Sequence, residues 1–182
     1  MTIIFDTETT GLQKATIVNL QQQPKIIEFA AIKIDDQTLE EKDRIEFLVN
    51  PQTPINKHIT KLTGITNEKL IKAQPFVEHY ETIRDFFIGE KYIVAHNLFF
   101  DIQMLKFDLE RIGKLEDFPF PKINICTANQ TMKLRGFRQN LGALFEYMFD
   151  VPMPKVAHRA MNDVEALTDI FRELIKQQII KI

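Results

Sequence analysis

The chain opens with Ile3-Ile4-Phe5-Asp6-Thr7-Glu8-Thr9-Thr10-Gly11, a short apolar run that leads into two acids. Residues i and i+2 of a strand point to the same face, so Asp6 and Glu8 leave one side of a rigid element beside a glycine-ended turn. Like charges held this close repel, which favours a proton or a cation between them. Because hard divalent cations such as magnesium prefer oxygen ligands, the pair predicts a metal site.

The composition is typical of a globular protein. Its 182 residues, 45% hydrophobic and 26% charged, predict one domain over residues 1–182 with a substantial core. The net charge of −2 does not indicate a basic nucleic-acid-binding surface. Bound metal ions would, however, supply positive charge that this count omits. With Cys126 as its single cysteine, the chain cannot form an intrachain disulfide, which excludes the disulfide-stapled class.

Targeting and membrane signals are missing from the sequence. The acid at position 6 follows the N-terminus too closely for the apolar region of a signal peptide. No apolar run approaches the roughly 20 residues of a transmembrane helix. We therefore expect a cytoplasmic protein that does not enter a membrane.

Hydrophobic periodicity predicts strands at first and then strands alternating with helices. The strand patterns cover residues 2–6, 26–34, 44–49, 92–95 and 123–125. The helical patterns cover residues 56–62, 66–72, 99–112, 127–133, 139–149 and 160–178, with a further helix that starts at Pro75. This order predicts an α/β fold with a mixed sheet flanked by α-helices.

Further acids fall where helices start. Asp101 follows the predicted strand 92–95 into a helix, and Asp163 lies in the first turn of the last helix, with His158 in the loop before it. Taken singly, each acid is explained by the helix dipole, and the histidine by a surface or capping role. Sites of α/β sheets nevertheless gather at the carboxyl ends of strands, where these residues fall.

Three motifs occur in order along the chain. The first is Asp6-Thr7-Glu8-Thr9-Thr10-Gly11-Leu12, the second is His96-Asn97 followed by Asp101, and the third is His158 followed by Asp163. Together they resemble the DEDDh exonucleases, the DnaQ-like proofreading family, over nearly the whole chain. Each motif taken singly is a weak signal, whereas three in order are a strong one.

The resemblance implies a ribonuclease H-like fold whose central five-stranded sheet has three antiparallel strands followed by two parallel ones. It also implies that two divalent cations, Mg²⁺ or Mn²⁺, lie about 4 Å apart and contact the scissile phosphate. One activates a water and the other stabilises the leaving 3′ oxygen, while His158 accepts the proton of the attacking water. The product is a nucleoside 5′-monophosphate released from a 3′ end. The metal ligands would be the four carboxylates of Asp6, Glu8, Asp101 and Asp163.

The family also predicts contacts to the terminal nucleotide. Leu12 and Phe100 would pack against its base or sugar, although core packing explains Phe100 equally well. His96 is expected to form scaffold hydrogen bonds, because the metals favour oxygen ligands. The predicted substrate-binding residues are Thr9, Thr10, Leu12, Asn97 and Phe100.

Several charged residues have two interpretations. Lys133, Arg135 and Arg138 would track a phosphate backbone or form solvated surface. The same two interpretations apply, with no better support, to Lys57, Lys61 and Arg159. Glu28 would assist the carboxylates or point outward from its strand. His58 and His79 are expected to be exposed and receive no role.

The turn Glu8-Thr9-Thr10-Gly11 looks more like the DNA-proofreading branch than the oligoribonuclease branch, so DNA is favoured over RNA as substrate. A DNA polymerase is the candidate protein partner, with a free-standing exonuclease as the alternative. The remaining alternatives are an exoribonuclease of the same superfamily, a non-catalytic nucleic-acid or polymerase-docking module, and a metal-binding regulatory domain. The last ranks lowest because the acids are too scattered for a contiguous calcium loop.

Overall fold

A computed structural model describes residues 1–15 and 19–182, apart from the side chains of Lys133 and Arg135. Within that part of the chain there are five strands, β1 Thr2–Thr9, β2 Ile26–Ile34, β3 Glu41–Leu48, β4 Tyr92–Ala95 and β5 Ile123–Cys126. They form one mixed sheet in the order β3-β2-β1-β4-β5. β1 pairs antiparallel with β2 and parallel with β4. The β2–β3 pair is antiparallel and the β4–β5 pair is parallel.

Helices flank this sheet, and one short 3₁₀ turn spans Leu20–Gln22. None of the helices in the described residues combines the length and apolar character that a membrane crossing requires. Thr66 caps the second helix, because its side chain accepts a hydrogen bond from the backbone N–H of Lys69. The helices are α1 Lys57–Thr63, α2 Asn67–Ile71, α3 Phe76–Phe87, α4 Leu98–Arg111, α5 Thr127–Gln130, α6 Met132–Arg135, α7 Leu141–Phe149 and α8 Ala160–Lys176.

Three predicted boundaries are wrong. β1 continues to Thr9 instead of ending at residue 6, because its polar residues stay paired with β2 as far as the Thr9–Ile26 register pair. β3 starts at Glu41, since an exposed edge strand needs no apolar alternation. The helix predicted over 127–133 is split at Thr131, whose hydroxyl donates back to the Thr127 carbonyl at 2.7 Å.

The core lies on both faces of the sheet. On one face, α3 and α4 pack against the side chains of Ile3 and Phe5, and on the other, α7 and α8 cover Ile4. These three β1 side chains are fully buried. Since side chains alternate along a strand, Asp6 and Glu8 share the face of Ile4 and point toward α8.

The prediction that His79 is exposed is wrong. Its imidazole stacks on the ring of Phe47 at a centroid distance of 4.0 Å, because α3 packs over the edge of the sheet. Burial lowers the pKa of His79 below its usual value. The side chain therefore belongs to the packing of this face.

Candidate active site

A cleft of about 810 Å³ opens where β1 and β4 end. Its walls come from both faces of the sheet, since β1, α1, α4 and α8 all contribute residues. The structure brings the five predicted catalytic residues together in this cleft, although more than 150 positions separate the first from the last. These residues are Asp6, Glu8, Asp101, His158 and Asp163.

Asp101 reaches the cleft from the first turn of α4, on the opposite face from Glu8. Its Oδ1 accepts two hydrogen bonds from Thr7, one from the backbone N–H at 3.1 Å and one from the hydroxyl at 2.9 Å. These bonds fix the carboxylate against β1. Sequence reasoning gave Thr7 no role, because the contact joins positions 94 residues apart.

Asp163 lies in the first turn of α8, and its Oδ2 accepts a hydrogen bond from the backbone N–H of His158 at 3.0 Å. Its Oδ1 is buried and has no hydrogen-bond partner among the described residues. A buried oxygen without a donor is costly unless a cation contacts it. Glu8, His158 and Asp163 each offer a ligand atom, and these atoms lie within 4.8 Å of one another.

The environment of the cleft opposes the simultaneous ionisation of its four carboxyls. Burial, reinforced by the charge of Asp163, raises the pKa of Glu8 to about 8. Burial raises the pKa of Asp101 to about 7 although the Thr7 bonds oppose it, and that of Asp163 to about 6 against the bond from His158. Burial and the charge of Asp101 also raise the pKa of Asp6 well above its ordinary value. Such a group of carboxyls fits divalent cations, which would displace the protons.

Four of the five predicted substrate-binding residues line the cleft. Leu12 is 80% exposed there, and Phe100 both lines the cleft and packs partly against the core, so its two interpretations are compatible. Thr9 and Asn97 complete this set. Thr10 is not part of the cleft lining, and its hydroxyl accepts a hydrogen bond from the Lys25 backbone at 3.0 Å.

The tertiary fold also brings to the cleft residues that the three motifs do not include. His58 is exposed as predicted, yet it lines the cleft from α1 together with Leu62. Arg138 also lines the cleft, and its guanidinium donates to Asn97 Oδ1 at 3.0 Å. The side chains of its predicted companions Lys133 and Arg135 lie outside the described residues.

His96 is a hydrogen-bonding residue, as predicted. Its two ring nitrogens lie 3.1 Å from Thr127 Oγ1 and 2.9 Å from the Gln139 carbonyl oxygen. Burial lowers the pKa of His96. The imidazole therefore joins the end of β4 to the first residue of α5 and to the segment before α7.

Glu28 does not point outward from its strand, which corrects one of the two interpretations. It is 1% exposed on β2, directly opposite Glu8 in the antiparallel register. Its carboxylate binds the guanidinium of Arg159 and the backbone N–H of Ala160, at 2.7 Å and 2.8 Å for the shortest contacts. A fifth carboxylate thus lies beside the cleft, already paired.

A protein-family model described as Exonuclease (RNase_T) matches residues 3–171. The chain belongs to this exonuclease family. It is 33% identical over 177 residues to the PolC-type DNA polymerase III of Caldanaerobacter subterraneus and 31% identical over 176 residues to that of Bacillus subtilis. These matches cover 96% of the chain but only 12% and 11% of the polymerases, so the chain spans about an eighth of their length.

Solved structures show the same fold. The nuclease domain of 3′hExo, a DEDDh family member bound to rAMP, gives a TM-score of 0.78 at 19% identity, with 97% of this chain and 92% of that one covered. Exonuclease X in complex with 5′ overhanging duplex DNA gives 0.70 at 22% identity, with 100% and 95% covered. The predicted ribonuclease H-like fold and DEDDh exonuclease family are confirmed.

Proposed function

We propose that this chain is a single exonuclease domain that hydrolyses DNA from the 3′ end and releases nucleoside 5′-monophosphates. The observation that carries the proposal is the convergence of four carboxylates and one histidine in a single cleft. Membership of the exonuclease family supports it independently. The buried Asp163 Oδ1, which lacks a donor among the described residues, is the feature that most needs a cation.

Four side chains would hold the cations, Asp6, Glu8, Asp101 and Asp163. Two bound divalent ions, Mg²⁺ or Mn²⁺, would supply water activation and stabilise the charge that develops on the leaving 3′ oxygen. Thr7 keeps Asp101 aimed at this site through its two hydrogen bonds. The chain itself therefore presets the positions of the carboxylates before any ion arrives.

His158 is the proposed general base. Its exposed imidazole lies at the cleft beside Glu8 and Asp163, whereas the acids around it are buried. An exposed imidazole reaches a water in the cleft and passes the proton to solvent. A pH–rate profile of His158→Ala tests this role. Loss of the acid limb is expected, and a variant that kept the wild-type acid limb would remove His158 from it.

The terminal nucleotide is proposed to bind between Leu12 and Phe100, with Thr9 and Asn97 as polar contacts. The large exposed surface of Leu12 at the cleft supports this placement. Apolar and stacking contacts hold bases without selecting their sequence, as a general exonuclease requires. Thr10 stays a predicted contact, which would act through the turn that it fixes to Lys25.

DNA is the proposed substrate in preference to RNA. The support is the Glu8-Thr9-Thr10-Gly11 turn and the 31–33% identity to PolC-type DNA polymerases. The same relatives support a DNA polymerase as partner and proofreading as the role. Faster removal of a mismatched 3′ nucleotide than of a paired one, on otherwise identical primer–templates, is the expected result for proofreading.

The test uses 5′-labelled single-stranded DNA and RNA of one sequence, with Mg²⁺, Mn²⁺ or a chelator. Wild-type protein should shorten the DNA stepwise from its 3′ end only when metal is present, and Asp6→Ala should not. Asp117→Ala is the matched control, because Asp117 is an exposed aspartate outside the cleft lining.

Each other outcome selects a different function. Faster shortening of RNA than of DNA would make the chain an exoribonuclease. Binding of labelled strands without shortening would make it a docking module. Shortening that survives the chelator or Asp6→Ala would reject the proposed metal site.

A further inference from the structure

The residue that carries the proposed base has an unusual backbone. His158 adopts φ = +62°, in the left-handed region that residues with a side chain seldom occupy. Such a conformation persists only where the surrounding structure over-determines it. The backbone N–H of His158 donates to the Asp163 carboxylate. The two residues that follow His158 have a separate attachment.

That second attachment is Glu28. Its two carboxylate oxygens accept three hydrogen-bond contacts from the Arg159 guanidinium, at 2.7, 3.0 and 3.2 Å. One of them also accepts the backbone N–H of Ala160, the first residue of α8, at 2.8 Å. Glu28 is 1% exposed, so these donors replace water around a buried charge. The strand thereby anchors the two residues that directly follow His158.

Glu28 lies next to the cleft, because it is the strand neighbour of Glu8. β2 pairs Glu28 with Glu8, so one sheet register sets both the carboxylate in the cleft and the attachment point of the histidine loop. The segment around His158 has no regular secondary structure, so its backbone gains no support from a helix or strand ladder. Besides the Glu28 anchor, two contacts attach this loop to α8, the hydrogen bond from the Asn162 side chain to the Val156 carbonyl and the ion pair of Lys155 with Glu165. In both, the loop residue precedes His158 in the chain, so Glu28 holds the side that follows it.

We propose that Glu28 and Arg159 are positioning residues that hold the strained backbone of His158 and keep its imidazole in register with Glu8 and Asp163. The inference rests on the proposed function, in which His158 acts as the base. Neither Glu28 nor Arg159 needs to contact the substrate or the cations. Their effect reaches the reaction through His158.

Arg159→Ala and Arg159→Lys are the variants of choice, because this side chain is 37% exposed and its removal leaves a gap that solvent can enter. Arg159→Ala should lower kcat by about 10- to 100-fold, as loss of supporting contacts commonly does, with KM for single-stranded DNA unchanged. Millimolar guanidinium should restore part of the rate of Arg159→Ala, and lysine should retain part of it. Glu28→Gln should lower kcat in the same way.

Arg172→Ala is the matched control. Arg172 also lies on α8 and pairs with an acid, Asp169, but it is outside the cleft. Thermal unfolding of all variants separates lost folding from lost positioning. The control should keep the wild-type kcat even where its melting temperature falls as far as that of Arg159→Ala.

The decisive comparison places Arg159→Ala in a His158→Ala background. If Glu28 and Arg159 act through His158, Arg159→Ala should lower the residual kcat of the His158→Ala variant by less than about twofold. Full additivity of the two losses would overturn the proposal. A rise in KM at unchanged kcat would also overturn it, because Arg159 would then bind the DNA directly. Absence of any exonuclease activity in the wild type would instead reject the proposed function.

Discussion

The two halves of β1 lie in the same sheet and differ in what surrounds their side chains. Ile3, Ile4 and Phe5 are fully buried between helices on both faces. Asp6 and Glu8 continue the strand into the cleft, where burial raises the pKa of both carboxyls. The first half contributes stability by burying apolar surface, whereas the second is costly until cations neutralise it. One rigid strand thus supports both the core and the site.

The largest expected effect concerns the acidic second half of β1, which contains Asp6 and Glu8. Asp6→Asn should lower the exonuclease rate by about 10³-fold or more, because a lost metal ligand removes several kcal/mol of transition-state stabilisation. The melting temperature of the metal-free variant at pH 8 should not fall, since the amide replaces a carboxyl whose ionisation burial opposes. Rate assays and thermal unfolding with a chelator measure the two effects. A variant with a normal rate, or with a strongly lowered melting temperature, would contradict the assignment of this half of β1 to the site and not to the core.

The matched change in the first half is Phe5→Ala. This ring is fully buried against Phe29 and Phe87, at centroid distances of 6.0 and 6.1 Å. Its removal should cost about 3–5 kcal/mol of unfolding free energy, from lost burial and the cavity left behind. Chemical denaturation measures the cost. A loss below about 1 kcal/mol would mean that this part of β1 is not a core element.

The pH dependence of stability should follow the acidic half. A carboxyl whose pKa is raised on folding keeps its proton in the folded state while the unfolded chain ionises. The metal-free protein should therefore lose stability as the pH rises from about 4.5 through the pKa of Glu8 at about 8. Denaturation at several pH values with a chelator measures this slope. Mn²⁺ and Glu8→Gln should each flatten it, and a stability that rises over this range would be the opposite result.

The smallest expected effect comes from Thr7→Val, which removes one of the two hydrogen bonds to Asp101 and keeps the backbone one. A loss of about 1 kcal/mol, about fivefold in kcat, is expected. Thr168→Val is the control, because it removes a buried hydroxyl that bonds to the Val164 carbonyl in α8, away from the cleft lining. Steady-state kinetics of the two variants should differ, and equal kcat values would remove Thr7 from the support of Asp101.

Local patterns were sufficient for most of the fold. Apolar periodicity placed the five strands and the helices, because burial on one or two faces leaves a period in the sequence. It ended β1 too early, because the apolar run stops at Phe5 and the pairing of Thr7 and Glu8 with β2 leaves no apolar period. The edge strand β3 started too late for the same reason, as charged residues on an exposed edge carry no apolar period.

The candidate site also has a part that the sequence predicts and a part that it does not. Its acids and His158 were predictable because their chemistry and order form motifs. The contacts that hold them were not, since Thr7–Asp101 and Glu28–Arg159 join positions 94 and 131 residues apart. Pairing across such separations depends on the sheet register and helix packing, which no short stretch of sequence encodes. Glu28 illustrates this, because the same strand position fits an outward or a buried carboxylate until β2 is covered by α8.

Calorimetric titration of the metal-free protein with Mn²⁺ near pH 7, in two buffers of different ionisation enthalpy, tests the central claim most directly. Because the pKa values of Glu8, about 8, and of Asp101, about 7, leave both carboxyls at least partly protonated near pH 7, binding should release protons, and the observed heat should depend on the buffer. Asp163→Asn should weaken both the binding and the proton release. No saturable binding at millimolar Mn²⁺, or binding whose heat is the same in both buffers, would contradict a site built from mutually opposed carboxyls.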